Sequence, residues 1–187
     1  MKIVFERWNT IVHRNIEKPN FTDDELAVKL LEANSFDQIK EIFESARMGS
    51  DLKQMAFERL PYCAVTFEDW HYVHIKSQKG SEFAQYTFSM MKERAKTFSQ
   101  RVIVYEESEP YEEQLQEALF QDLLNTANSF EQWKTVLYRS NHCKHKVSSE
   151  HRQHIVYKMS MFAKTERQWK TVQRISAPGS QIKRLTR

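Results

Sequence analysis

The stretch Thr66-Phe67-Glu68-Asp69-Trp70 defines a motif that recurs along the chain. The copies with this pattern begin at Ser35, Thr66, Thr97, Ser129 and Thr165, and an earlier copy is marked by Phe5. Phe5, Phe36, Phe67 and Phe98 are evenly spaced, and the later intervals are slightly longer. Such regular spacing over six copies indicates a repeat protein, in which each copy is one supersecondary unit.

Each copy is predicted to begin a helix. A Ser or Thr followed three positions later by Gln or Asp is close to the capping box, which satisfies unpaired N–H groups at a helix start. Apolar residues then recur every three positions, as in Phe67, Trp70 and Val73, and draw one stripe along the helix. We interpret this stripe, with all four tryptophans, as core packing and not as a ligand cage. The two polar exceptions, Arg101 and Glu166, are expected at solvated or interface edges.

A second helix is predicted in each copy. All three glycines of the chain directly precede a serine at the start of this helix: Gly49, Gly80 and Gly179. Glycine can adopt the left-handed conformation that ends the first helix, and serine can cap the second. Pro110, followed by Glu112 and Glu113, is predicted to serve a similar purpose in the fourth copy.

The predicted fold is therefore all-α, an α-solenoid of five helical hairpins of about 31 residues with a truncated sixth. We predict a single helical-repeat domain over residues 1–187. Its copies are predicted to span residues 4–34, 35–65, 66–96, 97–128, 129–164 and 165–187. A hairpin of this size cannot bury its own apolar face, so stability is expected to come from the stacking of neighbours.

These hairpins resemble the tetratricopeptide and half-tetratricopeptide class of α-solenoids. In that class a Trp or Tyr of the first helix packs against small and aromatic residues of the second. Here Trp70 and Trp133 stand in first helices, and Ala56, Phe88 and Phe120 in second helices. The resemblance extends over nearly the whole chain and implies an α-solenoid.

The composition argues against several classes of enzyme. Rossmann and P-loop sites need clustered glycines, whereas the three glycines of this chain are all far apart in the sequence. The chain also has no Gly-flanked serine elbow and no catalytic-cysteine signature. We therefore predict that the protein is not an enzyme and uses no cofactor.

The first eight residues and the two cysteines indicate the compartment. The N-terminal sequence meets charge within six residues and contains no apolar run long enough for a signal peptide or a membrane span. Cys63 and Cys143 stand in different copies of the repeat, unlike the dense framework of a secreted disulfide scaffold. We expect a cytoplasmic protein with both thiols reduced.

Charge is distributed unevenly along the chain. Residues 1–128 carry 15 Lys and Arg against 22 Asp and Glu, whereas residues 129–187 carry 13 against 3. A basic end can attract nucleic acid, an acidic protein or an anionic membrane surface. The candidate anion- or partner-binding residues are Arg167, Lys170, Arg174, Lys183 and Arg184. The simpler interpretations are a solvated helix face with a frayed terminus, or head-to-tail attraction between two copies.

A histidine cluster raises the question of zinc. The candidate ligands, which stand close together in the sequence, are His142, Cys143, His145, His151 and His154. Zinc needs three or four nitrogen or sulfur donors at bonding distance, and this spacing matches no standard zinc finger. We therefore favour a polar inserted loop, around residues 140–150, with solvent-exposed histidines. Such a loop could also contact a partner.

Taken together, these features favour a non-enzymatic scaffold that presents one face of a solenoid to a protein or peptide partner. The alternative is a helical-repeat protein that binds nucleic acid through phosphate contacts of residues 129–187. The aromatic residues of that region mostly belong to the core stripe, which argues against base stacking. The oligomeric state is left open.

Overall fold

The computed structural model describes residues 21–142 and 148–176, except for the side chains of residues 141 and 142. Within that part of the chain the regular structure is helical, without a strand. The helices are α1 Asp23–Glu32, α2 Phe36–Ser45, α3 Asp51–Cys63, α4 Phe67–Lys76, α5 Glu82–Arg94, α6 Phe98–Glu107, α7 Glu113–Thr126, α8 Phe130–His142, α9 Ser149–Phe162 and α10 Glu166–Ile175. The predicted all-α class is confirmed.

The helices pack in successive pairs, as expected for an α-solenoid of helical hairpins. The pairs are α2 with α3, α4 with α5, α6 with α7, and α8 with α9. They correspond to the predicted copies 35–65, 66–96, 97–128 and 129–164. Helix α1 is the second helix of the first copy and α10 is the first helix of the sixth. Phe5 and Gly179, which mark the other helices of those two copies, lie outside the described residues.

The chain divides into two compact units, Met1–Val65 and Thr66–Arg187. The boundary between them coincides with the predicted boundary between two copies. The first unit contains α1, α2 and α3, and the second contains α4 to α10. In the described part of the second unit each helix packs on the next one in chain order, which is the arrangement expected of a stack of hairpins.

Basic side chains of α3 stabilise the first unit. The Arg59 guanidinium donates hydrogen bonds to the carbonyl oxygens of Leu30 and Ala33 at the end of α1. The Lys53 ammonium donates to the carbonyl oxygens of Phe43, at 2.7 Å, and Ala46, at 3.0 Å. The last carbonyl groups of a helix have no partner within it and carry partial negative charge, so these cations satisfy and stabilise the ends of α1 and α2.

The predicted helix starts are confirmed. Full capping boxes occur at Thr66, Thr97 and Thr165, each with the side chain of the residue three positions on. Ser35 and Ser129 accept the same backbone hydrogen bond. In those two copies the glutamine instead accepts a hydrogen bond from the backbone N–H of the asparagine before the serine. One more N–H group is thereby satisfied at each start.

The two glycines among the described residues lie in turns and not at the helix ends. Gly49 and Gly80 have positive φ angles of 76° and 79°, as expected, but α2 and α4 end earlier, at Ser45 and Lys76. Each glycine directly precedes the serine that caps the following helix. The left-handed conformation therefore turns the chain into the second helix, after the first has already ended.

Four serines that sequence reasoning did not identify lie at or near the ends of the first helices of the second unit. They are Ser77, Ser108, Ser140 and Ser176. Each is buried, and its hydroxyl donates to a backbone carbonyl three or four residues earlier, at 2.6–2.8 Å. Each stands at the same distance in sequence from the residue that caps the start of its helix, so the serines follow the repeat. Ser77, Ser108 and Ser176 directly follow the last residues of α4, α6 and α10, and their hydroxyls bond to carbonyl oxygens at these helix ends, whereas Ser140 lies inside α8.

The apolar stripe forms the core of the hairpins. Trp70 and Trp133 are each 2% exposed, and Val73 and Val136 are fully buried. The Trp70 ring meets the Tyr86 ring edge-on, with ring centroids 5.7 Å apart. The interpretation of these residues as core packing is confirmed. None of the helices in the described residues is long and apolar enough to span a membrane.

The two polar exceptions in the stripe have different surroundings. Arg101 replaces the tryptophan of its copy and pairs with Asp122 on α7, so it is an internal ion pair of its hairpin and not an open edge. Glu166 is exposed, as expected, and pairs with Lys170 on the same helix at 2.7 Å. Trp169 is 36% exposed although it belongs to the stripe. Within the described residues, its helix packs mainly on α9.

Core packing predicts a large loss of stability on truncation of Leu123, which is fully buried in α7. Leu123→Ala is expected to lower the free energy of unfolding by about 2–5 kcal/mol, because it removes apolar contacts and leaves a cavity. Asn125→Ala, an exposed substitution on the same helix, is expected to change it by less than about 0.5 kcal/mol. Urea unfolding followed by circular dichroism measures both values, and equal effects would contradict this account of the core.

Candidate binding face

The first helices of the hairpins in the second unit, α4, α6, α8 and α10, share one pattern of exposure. We call these four the A helices. Their positions are numbered from the capping residue, which is position 0: Thr66, Thr97, Ser129 and Thr165. Position 7 is a buried valine in all four helices. Positions 2, 6 and 9 are half-buried or exposed in all four and form the A face: Glu68, Tyr72, Ile75, Ser99, Ile103, Glu106, Glu131, Thr135, Tyr138, Arg167, Thr171 and Arg174.

Side-chain contacts show that α4, α6 and α8 lie side by side. The Gln100 Nε2 atom of α6 donates to Glu68 Oε1 of α4 at 2.9 Å, near the starts of both helices. Arg139 Nε of α8 lies 2.5 Å from Glu106 Oε1 of α6, near the ends of both helices. This contact is an ion pair and not a hydrogen bond. Since starts meet starts and ends meet ends, these A helices run in the same direction.

Apolar side chains are exposed on the A face. Ile75 is 51% exposed and Tyr138 is 56% exposed, while Tyr72 and Ile103 are half-buried. The Lys76 ammonium lies 5.7 Å from the centroid of the Tyr72 ring. Single exposed apolar residues are ordinary, but their recurrence at positions 6 and 9 of three neighbouring helices is typical of an interaction surface.

Three of the predicted basic residues stand on α10. Arg167 and Arg174 are exposed at positions 2 and 9 of α10, and Lys170 is exposed at position 5. Lys170 pairs with Glu166, but no carboxylate of the described residues lies within 4.0 Å of either arginine. Lys183 and Arg184, the other predicted basic residues, lie outside the described residues. The role of all five as a binding site remains a prediction.

In the first unit, the positions of α2 that correspond to the A face are acidic, opposite in charge to the basic positions of α10. The corresponding positions of this helix are Asp37, Glu41 and Glu44, and all three side chains are exposed. The uneven charge seen along the sequence therefore also appears at positions 2, 6 and 9 of the first helices.

The histidine cluster lies only partly in the described residues. Cys143 and His145 fall outside them, and His142 ends α8 with its side chain not described. His151 is half-buried, unlike the solvent-exposed residue expected, because its Nε2 atom lies 3.0 Å from Gln121 Nε2 and its ring packs edge-on against Phe120.

His154 is exposed and packs edge-on against Trp133, with ring centroids 5.9 Å apart. Partial burial and the nearby Lys158 lower its pKa. No group of three histidine, cysteine or acidic residues that could hold a metal ion occurs among the described residues. The described histidines thus contribute to packing, and the question of zinc stays open.

A cleft of about 370 Å³ lies between hairpins 66–96 and 97–128. His74 lies at its wall, with Nδ1 3.1 Å from the Thr87 hydroxyl oxygen. Burial lowers the pKa of His74, and the negative charge of Glu107 partly opposes this shift. Tyr111 donates a hydrogen bond to the Ala84 carbonyl at 3.2 Å, and burial raises its pKa. The Tyr111 hydrogen bond joins the two hairpins, and the His74 contact lies within hairpin 66–96, so both side chains have a structural role.

Sequence reasoning missed the apolar part of the A face. Tyr72 and Ile103 both stand at position 6 of their helices, so they follow the period of the repeat. Comparison of positions outside the buried stripe, copy by copy, would have identified them. No known protein family, no curated protein and no solved structure matches this chain.

The surroundings of His74 predict a loss of stability in acid. Its pKa is lowered in the folded protein, so the unfolded chain binds a proton more readily, and stability falls as the pH drops through 6.5 towards the folded value. Lys79 and His71 nearby also oppose a positive charge on this ring. His74→Phe is expected to weaken this dependence, because phenylalanine cannot be protonated.

Melting temperatures of the wild type and of His74→Phe at pH values around 7.5 and around 5.5, on either side of the usual histidine pKa, test this expectation. The variant is expected to fold, since Tyr105 and Phe43 occupy the same helix position in two other copies. Thr87 also keeps its hydrogen bond to the Ala84 carbonyl, at 3.0 Å. An equal fall in melting temperature between the two pH values in both proteins would show that His74 does not cause the acid sensitivity.

Proposed function

We propose that this protein is a non-enzymatic scaffold whose A face binds a segment of a partner protein or a peptide. One observation carries the proposal: Ile75 and Tyr138 are both more than half exposed at position 9 of their helices, while position 7 of the same helices is fully buried. The buried side chains at position 7 supply the packing between helices. The exposed apolar side chains at position 9 can therefore contact a partner.

The fixed geometry of the A helices supports this function. The Arg139–Glu106 and Gln100–Glu68 contacts join neighbouring helices on the face itself. A surface already ordered before binding loses little conformational entropy when a ligand arrives. Aromatic residues such as Tyr72 and Tyr138 are also enriched at binding surfaces, because each buries a large area with few rotatable bonds.

The proposal extends to the class and compartment of the protein. The successive hairpins are compatible with the tetratricopeptide-like class, whose repeats build extended binding surfaces. The free thiol of Cys63 is compatible with a cytoplasmic protein. We propose both assignments together with the binding function.

Loss of the exposed apolar groups is expected to abolish peptide binding without loss of the fold. The double variant Ile75→Ala/Tyr138→Ala removes them from two A helices. Peptides selected on the wild type from a random library, about 15 residues long, are expected to bind this variant at least about tenfold more weakly, since buried aromatic anchors dominate most interfaces. Fluorescence polarisation with a labelled selected peptide measures the affinity.

The matched control is Tyr157→Ala/Met161→Ala on α9, where the two side chains are 53% and 62% exposed. It removes similar apolar area from a helix outside the A face and is expected to bind like the wild type. Equal losses in both variants, or no selected peptide at all, would refute the proposal. Binding of a single-stranded oligonucleotide that weakens steeply with salt and competes with the peptide would favour a nucleic-acid partner instead.

A further inference from the structure

The carboxylates on the α4–α8 part of the A face all have partners within the protein. Glu106 pairs with Arg139 at 2.5 Å, and Glu131 lies 3.4 Å from Lys134. Glu68 accepts the hydrogen bond from Gln100 described above. Because these carboxylates already have partners, the distinctive groups that this part of the face offers a ligand are its apolar side chains.

The α10 part differs in charge. Its four charged side chains are Glu166, Arg167, Lys170 and Arg174, and the single carboxylate pairs with Lys170. Arg167 and Arg174 stand at the positions that Glu131 and Tyr138 occupy one hairpin earlier. Among the described residues neither guanidinium has a carboxylate partner within 4.0 Å. Two exposed cations therefore follow directly after the apolar positions in the order of the A helices.

Resting on the proposed function, we infer that the ligand of the A face is an acidic segment of a partner protein, with apolar side chains in one part and aspartate or glutamate in the adjoining part. The apolar part lies over α4, α6 and α8, and the carboxylates pair with Arg167 and Arg174 on α10. Arginine suits this role because its guanidinium can bind a carboxylate through two parallel hydrogen bonds.

Helix spacing sets the length of such a segment. Packed helices lie roughly 8–10 Å apart, and an extended chain advances about 3.3 Å per residue, so about three residues cross from one A helix to the next. The apolar part, which crosses from α4 to α8, needs about six residues at this spacing, and the carboxylates follow about three residues later. Charge complementarity also fixes the orientation of the segment and excludes strongly basic partners.

Peptide selection on the full chain tests the inference. A random library of peptides about 15 residues long exceeds the length estimated from helix spacing. Peptides that bind the wild type but not Ile75→Ala/Tyr138→Ala are expected to share an apolar stretch with acidic residues beyond one end. Arg167→Glu/Arg174→Glu is expected to bind them at least about tenfold more weakly and to prefer versions with lysine in place of the acidic residues.

The matched control is Lys92→Glu/Lys96→Glu, which changes the net charge equally at two exposed lysines outside the A face. It is expected to bind the acidic peptides within about twofold of the wild type, and circular dichroism checks that every variant is folded. Selected A-face peptides without acidic residues, or equal losses in the two charge variants, would overturn this inference and leave the proposed function standing. Failure to select any A-face peptide would overturn both.

Discussion

A helix of ten residues is marginal on its own in water, and four of the first helices in this protein are that short. Each exists because its apolar stripe is buried against neighbouring helices. The stripe residues Val73, Val104, Val136 and Val172 are at most 1% exposed, and this burial links the hairpins of the second unit. In α4, α6 and α10 a capping box lies at the start of the helix and a buried serine directly follows its end.

That constraint leaves other positions free to vary. Position 9 of the A helices is isoleucine in α4, glutamate in α6, tyrosine in α8 and arginine in α10, whereas position 7 is always valine. The buried core requires a side chain of one shape at position 7. The residues of the A face can differ from one copy to the next without weakening the packing between hairpins. A surface that changes from apolar to basic along successive helices can recognise a partner by both its apolar groups and its charge.

Much of the fold could be predicted from the sequence, because its signals are local. The period of the repeat, the Ser or Thr at each helix start and the apolar stripe identified the helices and their pairing. The basic half of the candidate site was also visible, since Arg167 and Arg174 lie away from the stripe on any helical projection. Ile75 and Tyr138 were not recognised, because an exposed and a buried apolar residue look alike until the neighbouring helices are placed.

Periodicity and capping thus specify where this chain forms helices and which side of each is buried, since both depend on residues only a few positions apart. The ion pair of Arg101 with Asp122, the half-burial of His151 and the exposure of Trp169 depend on which side chain, if any, lies opposite in the next helix. Contacts between residues distant in sequence form only when the hairpins stack. They arise from packing, which no local pattern encodes.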